Sequence, residues 1–145
     1  MGIRHMTAGG MAVLFFALVL LVPFAYAAER KVTLSPGPAA EGASGEAILD
    51  DKGVTQTGIV ITARGLKPNG VYTVWLANEK PKAARTSAGP RYVFRSDEKG
   101  NGLYTGTIAR AELKKWQLLE VAHHPDGDPA NMKNIGIALK AVLKK

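Results

Sequence analysis

Asn134-Ile135-Gly136-Ile137-Ala138-Leu139-Lys140-Ala141-Val142-Leu143 carries the pattern that decides the fold class. Ile135, Ile137, Leu139, Ala141 and Leu143 recur at every second position, with Asn134, Gly136, Ala138, Lys140 and Val142 between them. A helix needs its apolar residues at three-and-four spacing. Strict twos describe a strand with one buried face.

Upstream, Gln117 to Ala122 reads as a strand with Leu119 and Val121 inward, and Ala109 to Trp116 as the one good helical stretch, with Leu113 and Trp116 on one face. Further back, Val54 to Arg64 is rich in Val, Ile and Thr, whose stiff branched side chains favour a pleated surface. Gly65-Leu66-Lys67-Pro68-Asn69-Gly70 then supplies turn chemistry, and Val71 to Asn78 answers as an antiparallel partner. Arg91 to Arg95 and Leu103 to Ala109 flank the turn cluster Asp97 to Gly102. Arg30 to Leu34 and Glu46 to Asp50 complete the set, separated by a Pro-, Gly- and Ala-rich loop from Ser35 to Gly45. Glu79 to Pro90 reads as a long polar loop. The spacing predicts an all-β domain: an antiparallel immunoglobulin-like β-sandwich of about seven or eight strands with one short helix.

The chain has 145 residues, room for one domain. Arg4 and His5 precede an apolar run from Met11 to Phe24, and Ala25-Tyr26-Ala27 is the small–x–small pattern of a cleavage site. Fourteen apolar residues rise about 21 Å as a helix, short of a hydrocarbon core of about 30 Å. Residues 1–27 therefore read as a signal peptide cut after Ala27, leaving 28–145 as a single β-sandwich domain. The alternative is an uncleaved anchor, which would be the domain's membrane attachment. Both place the domain outside the cytoplasm, periplasmic or secreted. The cut removes one basic residue, Arg4, and no acid, so the mature part keeps 18 basic against 12 acidic side chains, a formal net charge of +6. Such a charge favours anionic envelope surfaces, and the lack of interleaved basic and aromatic residues argues against nucleic acid. With no cysteine, thiol catalysis, thiolate metal sites and disulfides are excluded.

Two segments carry candidate chemistry. Lys80, Lys82, Arg85, Arg91 and Arg95 form a basic stretch suited to a phosphate, sulfate or uronic acid. His123, His124, Asp126, Asp128 and Met132 offer imidazole, carboxylate and thioether, a donor set that suits copper or another divalent metal. If a strand runs through residue 124, the two histidines point to opposite faces and cannot grip one ion together. Asp97-x-Lys99-x-Asn101-Gly102 has a calcium-loop outline, but Lys99 at a ligand position would repel the ion, so it reads as a turn. No G-x-S-x-G elbow occurs, and neither histidine has an evident serine partner, so the domain reads as no enzyme.

Gly65-Leu66-Lys67-Pro68-Asn69-Gly70-Val71-Tyr72-Thr73-Val74-Trp75-Leu76 resembles the extracytoplasmic β-sandwich domain of anti-sigma-K-type factors, where a "GL-P" turn precedes a "Y-x-x-W-L" strand. It is also a little like β-sandwiches related to copper/zinc superoxide dismutase. The resemblance covers about a tenth of the chain and implies a small exported sandwich used for sensing or binding. No sigma-binding region precedes the apolar run, and the dismutase's cysteines and histidine array are missing, so neither activity carries over. The sequence thus predicts an exported, non-catalytic sandwich that binds an anionic ligand or envelope partner; the alternative is a periplasmic metal-binding protein of the copper type.

Overall fold

Period-two patterning is realised as nine strands and a single turn of helix in a computed structural model that describes residues 28–144. The expected signal peptide and its cleavage point lie outside the described residues. The strands are β1 (Glu29–Pro36), β2 (Ser44–Lys52), β3 (Gln56–Arg64), β4 (Val71–Asn78), β5 (Ala84–Ser87), β6 (Val93–Arg95), β7 (Gly102–Ala109), β8 (Leu118–His124) and β9 (Gly136–Val142), with α1 (Arg110–Leu113) between β7 and β8. Every strand pairing is antiparallel. The fold is all-β, as the turn spacing predicts.

One layer has the order β1-β2-β3-β7, and the other runs β9-β8-β4, with β5 and β6 sharing the far edge of β4. β6 pairs with Val71–Thr73 and β5 with Trp75–Asn78. β1 belongs to both layers: Glu29–Leu34 pair with β2, then Ser35 and Pro36 pair with Lys140 and Leu139 of β9. The ladder is therefore continuous, a sheet curled over on itself. Its likeness to an immunoglobulin sandwich lies in the layering rather than in strand order.

The concave faces meet in the core. Leu34, Ala47, Leu49, Ile59 and Ile61 come from the first layer, and Tyr72, Val74, Leu76, Leu119, Val121 and Leu139 from the second. Tyr72 stacks on Phe94 at 5.4 Å between ring centroids, and Phe94 meets Tyr104 of β7 at 6.2 Å, which ties the layers together. β4 and β8 are buried on their outer sides too, at Thr73, Ala77, Glu120, Ala122 and His124.

Several local expectations are corrected. The strict alternation at the C-terminus is interrupted by a β-bulge. Leu139 lies opposite Val121 but Ile137 lies opposite Ala122, so Ala138 is an extra residue in β9. Ala138 and Leu139 both reach the core, and Ile135 and Ile137 leave it to become half-buried. The Ser35–Gly45 loop is shorter than its composition suggests. Its start continues along the bulge, with Gly37 N donating to Ala138 O (2.8 Å) and Ala39 N to Ile137 O (3.0 Å). β5 lies inside the segment expected to be loop, and β6 begins at Val93 rather than Arg91. The helix is four residues long, not eight, and β8 continues through His124.

Candidate functional site

Because β8 runs through His124, the two imidazoles take opposite sides of the sheet. His123 faces inward, its ring 5.0 Å from that of Tyr72, with 7% of its surface exposed. Burial above all, then the Lys67 ammonium and the neighbouring His124, hold its pKa below the ordinary imidazole value. His124 faces outward into a closed relay. Its Nδ1 lies 3.2 Å from the Asn131 carbonyl and its Nε2 lies 2.7 Å from Thr73 Oγ1, which also accepts from Trp75 Nε1 at 2.7 Å. With the ring proton on Nδ1, Nε2 accepts from the threonine and both ring nitrogens are engaged. Asp126 accepts from Asp128 N and Asn131 Nδ2, Asp128 accepts from Ala130 N, and Met132 is exposed. Among the described residues no three of His, Asp and Glu converge on one point. Asp97 likewise caps its own turn, accepting from Lys99 N and Asn101 N at 2.8 Å each.

The five basic residues are spread out. Arg85, on β5, sends Nε (3.1 Å) and Nη2 (2.8 Å) to one oxygen of Glu120, whose surface is 5% exposed. Arg91 borders a cleft against Tyr104–Thr107 of β7. Arg95 donates to Asn69 O (2.9 Å) and shares a polar cleft of about 220 Å³ with Lys67, His123 and His124. Lys80 and Lys82 are exposed, the Lys80 backbone being tied to the Gln117 side chain. The structure therefore joins Arg95 to the histidine segment and leaves the other four elsewhere.

A different cavity, of about 350 Å³, opens at the end of the sandwich where β1 begins and β9 ends. Its floor is Leu49, Leu113, Trp116 and Leu143, and its rim carries Arg30, Arg110, Lys114 and Lys144 against the carboxylate of Asp51. The short helix makes this possible. Arg110 and Lys114, four apart, reach the rim, and Leu113 and Trp116, three apart, face the floor. Arg110 is held from two sides: Nη2 donates to Gly53 O, and Nε lies 3.3 Å from Asp51 Oδ1, itself the acceptor of Thr57 Oγ1 at 2.8 Å. That Nε is sealed from solvent and makes no hydrogen bond among the described residues. Arg30 donates to Leu143 O at 2.9 Å, and Lys144 Nζ to Lys114 O. Trp116 is oriented by its Nε1 bond to Glu112 Oε1 at 3.1 Å. Hydrogen bonds from Lys115 first, then Trp116, hold the Glu112 carboxyl below the usual carboxylate range.

No family model, curated protein or solved structure matches the chain. The cavity must be read from its own chemistry. An apolar floor with a few converging charges is the usual make-up of a small-molecule site. Its cations were not evident as a site in the sequence, where Arg30 and Lys144 lie far from the Arg110 and Lys114 pair. The nearest signal was the run Arg110-x-x-Leu113-Lys114-x-Trp116, in which basic and apolar residues share one short helical stretch.

Proposed function

We propose that the chain is an exported, non-catalytic binding protein whose cavity beside α1 holds an amphiphilic anion: an apolar chain or ring with a carboxylate, phosphate or sulfonate head. The observation that carries this reading is the pairing of the Leu49, Leu113, Trp116 and Leu143 floor with four cations on the rim. Burial of the ligand's apolar body contributes about 25 cal/mol per Å². The rim attracts the head, and does so less as salt rises. Among the described residues, those lining the cavity include no imidazole, no thiol and no pair of carboxylates, so they offer attraction rather than proton transfer.

Fluorescence titration with anilinonaphthalene sulfonate tests the proposal, with neutral phenylnaphthylamine as the control. Arg110→Gln is expected to weaken sulfonate binding about tenfold, the effect of one lost charge-assisted contact, and to leave the neutral probe nearly unchanged. Trp116→Ala should weaken both. Affinities unaltered in both variants would overturn the proposal.

A further inference from the structure

Ala28 lines the same cavity. The β1–β2 register, in which Glu29 lies opposite Asp50, brings Ala28 to the level of Asp51. The Ala25-Tyr26-Ala27 pattern places the expected cut at the bond just before this residue. Hydrolysis of that bond by a signal peptidase consumes one water, leaves a carboxylate on Ala27 of the released segment and creates an amine on Ala28. We infer that processing completes the binding site: the new α-ammonium of Ala28 joins the four cations that the described residues place on the rim. This inference rests on the amphiphile-binding reading above.

The electrostatics favour it. Asp51 on β2 already faces Arg110 of α1, and an ammonium at residue 28 would flank it from β1. The carboxylate of Asp51 would then lie between two cations. Sharing Asp51 with the new ammonium would turn more of the Arg110 charge toward the ligand head, beside Arg30 on β1, Lys114 after α1 and Lys144 after β9. In the unprocessed chain residue 28 carries an uncharged amide, and the rim has four cations. The cleaved form is therefore the tighter binder.

The test uses exported protein whose intact mass shows that it begins at Ala28. It is compared with the same protein acetylated selectively at the α-amine, and with a form that retains Ala27 and is acetylated there. Both modified forms are expected to bind anilinonaphthalene sulfonate roughly threefold more weakly at about pH 7, and phenylnaphthylamine equally well. An α-amine ordinarily titrates near 8, so the advantage of the free amine should vanish by about pH 9, while the lysines and arginines of the rim remain charged. Equal affinities in the three forms, with Arg110→Gln still weakening the sulfonate, would overturn the role of the terminus and leave the cavity's function standing. Equal affinities in all four proteins would overturn both.

Discussion

Glu120 and Arg85 show how far a residue's role depends on what lies across from it. Glu120 sits on the outer side of β8 with its carboxylate almost out of solvent, and both Arg85 nitrogens serve one of its oxygens. Arg85→Ala would strand that charge. The expected cost is about 2 kcal/mol in urea denaturation, below that of a fully enclosed pair because the Arg85 side chain is 39% exposed. An unchanged midpoint would mean that Glu120 turns to water. His123 gives a pH prediction. Its folded pKa is depressed, so the unfolded chain takes up its proton first as pH falls. Its contribution is complete above the unfolded value near 6.5 and is lost as pH drops through the lower folded value. His123→Phe, which keeps a ring against Tyr72, should flatten the fall in urea midpoint between about pH 7 and pH 5. A slope as steep as that of the parent would assign the effect to another group. The sequence named Arg85 and His124 as candidates, but only register reveals their partners. Arg85 and Glu120 are 35 residues apart, and Thr73 and His124 are 51 apart.

At the scale of elements, period-two patterning was legible wherever a strand ran straight. β4 begins and ends at the residues that its composition marks. It failed at β9, because a bulge inserts one residue without disturbing the alternation of residue types. Ile135 and Ile137 are apolar and half-buried, and so the sequence carried no sign of the change of face. β5 was hidden for the opposite reason. Ala84-Arg85-Thr86-Ser87 is an edge strand with no apolar row, held by ladder bonds to β4 and by its ion pair. The bulge also explains a glycine. A Cβ on Gly37 would lie 2.2 Å from Ile137 O, whereas one on Gly42, a few residues on, would meet nothing within 4 Å. Gly37→Ala should therefore cost about 2 kcal/mol and Gly42→Ala close to nothing, read as urea midpoints. Equal midpoints for the two variants would mean that the backbone beside Gly37 shifts to admit the methyl group.

For the whole molecule, net charge pointed to an anionic partner, but the position of that charge had to come from the fold. The cations that share a cavity are contributed by β1, by the helix and the residue after it, and by the segment after β9. Lys114→Gln with Lys144→Gln should therefore lower the salt needed to elute the protein from heparin more than Lys80→Gln with Lys82→Gln. The reverse order would move the centre of attraction to the β4–β5 connection. Saturation with a bound amphiphile at about a hundred times its Kd should raise unfolding free energy by about 2.7 kcal/mol, seen as a higher thermal midpoint. The seam through β1 has a temporal consequence as well. Ser35 and Pro36 close on Lys140 and Leu139, so the first strand to be made waits for the last. Contacts between such distant parts of a chain form slowly. Until its final strand is free, a chain emerging from the ribosome stays an open book, its two layers still unclasped at the spine.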